Sequence, residues 1–127
     1  MTSYVLDSSA VLASLFDEPG GEGVAATIAG SVVSAANYAE IIAKLVDKGV
    51  APSAARQAAA QLRCEVASVD ETRAGLAGLM LATTRGRGIS LGDRFCLALA
   101  LELELPVLTA DRRWKTLDLG VEVTLIR

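Results

Sequence analysis

The sequence predicts an α/β fold, a three-layer α/β/α sandwich with a central, mainly parallel sheet, and three observations predict it. Short apolar runs of strand length alternate along the chain with segments whose apolar residues recur at helical spacing, the order that favours a parallel sheet sandwiched between helices. The helical segments carry ordinary start and stop signals, such as Gly49 after one and Pro52 at the head of the next, as helix ends require. The length of 127 residues suits one domain with a real core, and no linker, internal repeat or low-complexity tract interrupts it. A single domain over 1–127 is expected.

Taken in order, "SYVLD" (3–7) is an apolar run ending in an acid and reads as a strand. "SSAVLASLF" then resumes helical spacing through Val11, Leu12, Leu15 and Phe16. "DEPGGEG" breaks the pattern, and "GVAATIAG" is a short helix closed by Gly30. "SVVSA" is a strand, and residues 35–48 form a helix with Tyr38, Ile41, Ile42, Leu45 and Val46 on one face. Pro52 opens "PSAARQAAAQLRC", whose Ala-rich stretch is plain helix former. "EVASV" is another strand. "DETRAGLAGLMLATTRGRG" opens with acids that favour a helix N-terminus and ends in an Arg-Gly loop. "SLGDRFCLALALE" (90–102) is a helix apolar over most of its circumference. "LPVLTAD" is a strand running into a turn, followed by the basic stretch "RRWK" and a last strand, "VEVTLI".

Composition narrows the chemistry. The chain has no histidine, which removes the usual general base, the Ser-His and Cys-His nucleophile systems and histidine metal sites. Chemistry here must run on carboxylates, hydroxyls or cations. A net charge of -3 and a pI near 4.9 argue against a general nucleic-acid coat but leave room for a local basic patch. Cys64 and Cys96 lie in Ala/Leu-rich helical contexts where a thiol packs as a small hydrophobe, and a reducing cytoplasm suits them. No signal segment and no apolar run of about 20 residues appears, so a soluble, cytoplasmic protein with no membrane contact is expected. The 52% hydrophobic content and mean hydropathy of +0.43 are high for so small a monomer, which predicts a subunit interface.

Two acids fall at the carboxyl ends of predicted strands, Asp7 after "YVL" and Asp111 after "VLTA"; ligands bind there in open α/β sheets. Asp93 shares its helix stripe with Cys96, Leu97 and Ala100 and faces protein more than water. A buried carboxylate needs a compensating partner, and a divalent metal is an economical one. Each acid also has a purely structural use. Ser90-Leu-Gly-Asp93 is a capping-box pattern, while Asp7 and Asp111 suit the N-caps of the helices that follow them. Glu40 shares a stripe with Asn37, Lys44 and Asp47, which reads as a solvated face with a Glu40–Lys44 pair.

Taken together, "YVLDSSAVLASLF", "YAEII" near 40, "LGDRFCLALA" near 93 and "VLTADRRW" near 109 resemble the PIN-domain family, in particular the VapC-type toxins of bacterial toxin-antitoxin pairs. The resemblance covers almost the whole chain and lies in the order and spacing of these motifs. It implies a small α/β/α domain whose acids meet in one cleft, bind Mg²⁺ or Mn²⁺ and hydrolyse RNA phosphodiesters to 5′-phosphate and 3′-hydroxyl products. Carried over residue by residue, Asp7, Glu40, Asp93 and Asp111 take the four acidic, catalytic and metal-holding positions, and Ser9 and Thr109 the small hydroxyl positions that would orient carboxylates. It also implies a cognate VapB-like antitoxin and a homodimer. Hard oxygen donors suit Mg²⁺ or Mn²⁺ without histidine.

RNA approaching an acidic cleft needs cations at its rim. Arg85, Arg87, Arg94, Arg112, Arg113 and Lys115 are nearest in motif context, with Arg112, Arg113 and Arg94 the RNA-binding candidates, whereas Trp114 reads as a core-edge residue rather than a base-stacking one. Two other classes compete. A receiver-like phosphoacceptor domain shares the length and the acids at strand ends, but "LDSS" holds one acid where such domains pair two, and "TLIR" offers no terminal lysine. The other is a catalytically inert PIN-like interaction module.

Overall fold

The computed structural model describes residues 3–127. Five short strands, β1 (Val5–Leu6), β2 (Val32–Ser34), β3 (Glu65–Ala67), β4 (Val107–Thr109) and β5 (Val123–Leu125), form one sheet in the order β3-β2-β1-β4-β5. All four pairings are parallel, with Val5 opposite both Val32 and Val107. The helices are α1 (Ser8–Leu15), α2 (Gly21–Ala25), α3 (Ala35–Asp47), α4 (Pro52–Ala60), α5 (Glu71–Leu79), α6 (Leu81–Thr84) and α7 (Leu91–Leu103). A 3₁₀ turn over Arg112–Thr116 links β4 to β5.

Strand side chains alternate between faces, and this divides the core in two. Leu6, Val33 and Leu108 pack with Val11, Ile41 and Leu45 of α1 and α3. Their neighbours Val5, Val32 and Val107 pack on the other side with Cys96, Leu97 and Ala100 of α7 and with Trp114. Each fully buried aliphatic side chain contributes roughly 1.5–3 kcal/mol of transfer free energy. A charge at Leu6 or Val5 would therefore unseat one of the two layers.

Helix ends follow local chemistry. Ser34 accepts from the Ala36 N–H at 3.2 Å and starts α3, as a serine N-cap does. The glycine beyond its end, Gly49, has φ +97°. Three expected helices come out shorter. The one opened by Pro52, expected to run to Cys64, ends at Ala60, and Arg63 beyond it turns left-handed at φ +60°, where a non-glycine residue leaves the helix. Residues 70–88 are split into α5 and α6 at Met80, where the Thr83 and Thr84 hydroxyls donate to the Met80 carbonyl at 3.2 and 2.9 Å. The helix expected over 23–30 instead runs Gly21–Ala25, beyond which the Thr27 hydroxyl takes the Val24 carbonyl at 2.9 Å. Both carbonyls keep a backbone donor as well, Met80 from the Thr84 N–H and Val24 from the Ile28 N–H, each at 3.1 Å.

The surplus apolar content surfaces between α5 and α7. Leu76, Leu79 and Leu101 are exposed there along a groove completed by Met80 and Leu119. Among the described residues, no helix is long and apolar enough to cross a membrane.

Candidate active site

The sheet order sets the site. From β1 the chain builds outward through β2 to β3 on one side, then returns to place β4 on the other side of β1. Strand order reverses between β1 and β4, and the crevice beyond the carboxyl ends of such strands is where open α/β sheets hold ligands. Asp7 follows β1 directly, Thr109 ends β4 and Asp111 lies two residues on.

Asp7 is only 3% exposed. Its Oδ2 accepts from the Thr109 hydroxyl at 2.8 Å and from the Ser9 hydroxyl. Those hydroxyls are themselves fixed, because Ser9 Oγ accepts from the Ala110 N–H and Thr109 Oγ1 from the Asp111 N–H, each at 3.0 Å. Burial pushes the Asp7 carboxyl up to about 6; the two hydroxyls pull against this, and the negative charges of Asp93 and Glu40 add to it. Asp7 stands at the N-cap position of α1, yet its side chain makes no capping bond there. Capping does not account for this acid.

The other acids have local partners. Asp93 and Ser90 form a complete capping box on α7: Asp93 Oδ2 accepts from the Ser90 N–H at 2.8 Å, and Ser90 Oγ from the Asp93 N–H at 3.2 Å. Asp93 is half-buried. Asp111 caps the 3₁₀ turn by accepting from the Arg113 N–H at 3.0 Å. The Arg113 guanidinium grips the same carboxylate with Nε on Oδ1 at 3.0 Å and Nη2 on Oδ2 at 2.6 Å, which holds Asp111 below its ordinary range. Glu40 is exposed. Rather than pairing with Lys44, its Oε1 accepts from Asn37 Nδ2 at 2.8 Å and from the Ser8 hydroxyl at 3.3 Å.

Asn37 is the residue that sequence reasoning misplaced. Far from lying on a solvated face, it is fully buried, and it also donates to the Gly92 carbonyl at 2.9 Å. Its position one helical turn before Glu40 makes the two neighbours, but that spacing carries no sign that α7 covers Asn37. Buried Cys96 reports the same convergence: burial drives its thiol well above the ordinary value, and the charges of Asp7, Asp93 and Glu40 add to the effect.

The cations divide. Arg112, Arg113, Arg85 and Lys115 are exposed, although Arg113 is engaged with Asp111. Arg94 is half-buried and donates through Nε to the Ala77 carbonyl at 3.1 Å, which braces α7 against α5. Arg87 reaches the Thr116 carbonyl at 3.1 Å. Trp114 is fully buried and belongs to the core.

Among the described residues, no three His, Cys, Asp or Glu side chains are grouped so as to hold a metal ion. The donor chemistry nevertheless fits a hard divalent cation. The oxygens are carboxylates, and the buried one, Asp7, is destabilised by the negative charges of two others.

Solved structures share this fold. The chain aligns over its full length with all of a chain in DNA-bound VapBC from Salmonella typhimurium, with a TM-score of 0.76 and 19% identity. VapBC-1 from nontypeable Haemophilus influenzae aligns over 98% of each chain with a TM-score of 0.74 and 20% identity. VapBC2 from Rickettsia felis, bound to a fragment of its promoter, also aligns over 98% of each chain, with a TM-score of 0.72 and 15% identity. No curated protein matches the sequence. Residues 4–119 match the PIN domain family, and the chain belongs to that family, whose members are generally nucleases that use divalent metal ions.

Proposed function

We propose that the chain is a VapC-like endoribonuclease, dependent on Mg²⁺ or Mn²⁺ and neutralised by a cognate VapB-like antitoxin. The observation that carries this reading is Asp7: a carboxylate almost fully buried at the switch point of the sheet, raised to about 6 and not used as a helix cap. Evicting a carboxylate from water costs several kcal/mol unless positive charge compensates.

In this reading Asp7, Glu40, Asp93 and Asp111 hold the cation. When bound, it supplies positive charge that polarises the scissile phosphate and makes an attacking water more acidic. Ser9 and Thr109 both engage Asp7 Oδ2, which fixes the carboxylate plane. Glu40, exposed and held by Asn37, orients water toward the phosphorus. Arg112 meets RNA phosphates from the 3₁₀ turn, and Arg113 does so on leaving Asp111. Arg94 supports α7 rather than RNA. Water adds to phosphorus, the 3′-oxygen leaves with a proton, and the products are a 5′-phosphate and a 3′-hydroxyl.

One set of observations favours a second reading, an inert PIN-like interaction module: Asp93 and Asp111 both have capping roles. The test is single-turnover cleavage of a structured RNA pool in Mg²⁺, Mn²⁺ or EDTA, comparing the unmodified chain with Asp93→Asn. Metal-dependent cleavage lost in the variant establishes the nuclease. If both proteins are inert, or cut equally in EDTA, the inert module stands.

The partners follow the same reading. The Salmonella, Haemophilus and Rickettsia neighbours are VapBC assemblies, and the exposed leucines of α5 and α7 favour association with an antitoxin or a second copy of the chain. A strictly monomeric chain in light scattering at high micromolar concentration would remove the homodimer from the proposal.

A further inference from the structure

We propose that Asn37 is a positioning residue that clamps the Glu40 carboxylate onto Gly92, and so sets the place of Glu40 relative to Asp93; its catalytic consequence rests on the nuclease reading above.

Three observations converge on the clamp. Asn37 Nδ2 donates both to Glu40 Oε1 at 2.8 Å and to the Gly92 carbonyl at 2.9 Å, so one amide ties an acid of α3 to the first turn of α7. Asp93 is the next residue along that turn. Gly92 has no side chain where one would collide: a Cβ built there would fall against both oxygens of the Glu40 carboxylate. The carboxylate therefore rests on the bare backbone of α7, with the Ser8 hydroxyl on its Oε1 at 3.3 Å. The third observation concerns the rest of the amide. Asn37 is fully buried, and its Oδ1 meets no hydrogen-bond partner among the described residues. A residue present only to fill space would not bury an unpaired acceptor, because that costs stability. What the amide contributes is its pair of donors, and no other side chain of this size supplies two from one neutral group: aspartate has none when ionised, and serine or threonine has one.

The clamp has two ends that can be loosened separately. Asn37→Leu removes the donors while keeping similar volume and taking away the unpaired oxygen. Gly92→Ala leaves both donors in place but pushes away the Glu40 carboxylate, the far end of a flexible side chain, so the fold has little to resist. Asn37 is the chain's only asparagine, so selective ¹⁵N-asparagine labelling gives one side-chain amide nitrogen with a single pair of proton signals.

The first arm needs no activity. In the metal-free protein, the Asn37 amide protons exchange at least about tenfold more slowly than those of a free asparagine, and their shifts move in Gly92→Ala and Glu40→Ala but not in Arg112→Ala. Free exchange, or shifts indifferent to Gly92→Ala, overturns the clamp. The second arm is single-turnover RNA cleavage. Asn37→Leu and Gly92→Ala each lower the maximal rate by roughly ten- to a hundredfold, the scale of a misplaced catalytic group, with half-saturation by RNA unchanged. Neither lowers it further in a Glu40→Gln background. Additive losses there show that Asn37 acts elsewhere and overturn the positioning role. Should the unmodified chain cut no RNA while the amide arm succeeds, the nuclease reading falls and the clamp stands.

Discussion

Asp7 offers the sharpest test of the buried site, because its cost can be read without any substrate. With the carboxyl raised from 3.8 to about 6, the native state holds a proton more tightly than the unfolded chain does. The sign follows from linkage: below about pH 3.8 the group is protonated in both states and contributes nothing. Between about 3.8 and 6 the unfolded chain gives up its proton first, so stability falls as pH rises, and above about 6 the full penalty stays. At about 1.4 kcal/mol for each tenfold change in proton affinity, the penalty is about 3 kcal/mol, or roughly 10 °C in melting temperature for a domain of this length. Asn at position 7 can still accept from Ser9 and Thr109 but carries no charge to desolvate. Urea unfolding of the unmodified chain and Asp7→Asn in EDTA is expected to give curves that differ least near pH 4 and diverge to about 3 kcal/mol in favour of the variant by pH 7.5. Manganese added at pH 7.5 should then stabilise the unmodified chain and leave the variant unmoved, since a ligand stabilises the state that binds it. Parallel curves from pH 4 to 8 would refute the argument that Asp7 is a desolvated acid awaiting positive charge.

Three further outcomes follow from individual contacts. Thr109→Val removes a donor from Asp7, so the Asp7 carboxyl should titrate higher still by carbon-detected NMR, and the variant should lose roughly 1–3 kcal/mol with the buried hydrogen bond. Arg113→Leu frees Asp111 from its guanidinium clasp, and the Asp111 titration is expected to move up toward the ordinary carboxylate range. Asp93→Asn leaves an oxygen able to accept from the Ser90 N–H, so chemical denaturation should show a loss within about 1 kcal/mol; a large loss would mean that its effect on cleavage reports unfolding.

The fold was legible because several local signals agreed. Val5 and Leu6 send one side chain to each core layer, which is why "YVL" reads as an unbroken apolar run, as strands buried on both faces do. Gly49 and Pro52 bracketed α3 and α4 for reasons internal to the backbone. What failed was the length of three helical segments, 23–30, 52–64 and 70–88. Thr27, Thr83 and Thr84 each turn a hydroxyl onto a helical carbonyl and Arg63 turns left-handed beyond α4, local features that apolar periodicity does not register.

The site was legible unevenly, and the unevenness has one physical cause. Asp7 and Asp111 could be placed from the sequence because the strands before them fix their edge of the sheet. Asp93 could be placed because its helix is apolar on nearly every side. Glu40 and Asn37 lie on a helix whose polar stripe looks solvated until α7 crosses it, and no spacing within residues 35–48 announces that crossing. The crossing buries Asn37 completely yet leaves Glu40 exposed three residues on. The amide can serve the carboxylate only because Gly92 keeps the facing helix bare at that point. The information is thus split between an asparagine and a glycine 55 residues apart, each unremarkable alone. Double substitution is the direct measure of that division: if Asn37→Leu and Gly92→Ala disturb one arrangement, their combined effect on the Glu40 carboxylate shift should equal that of either alone.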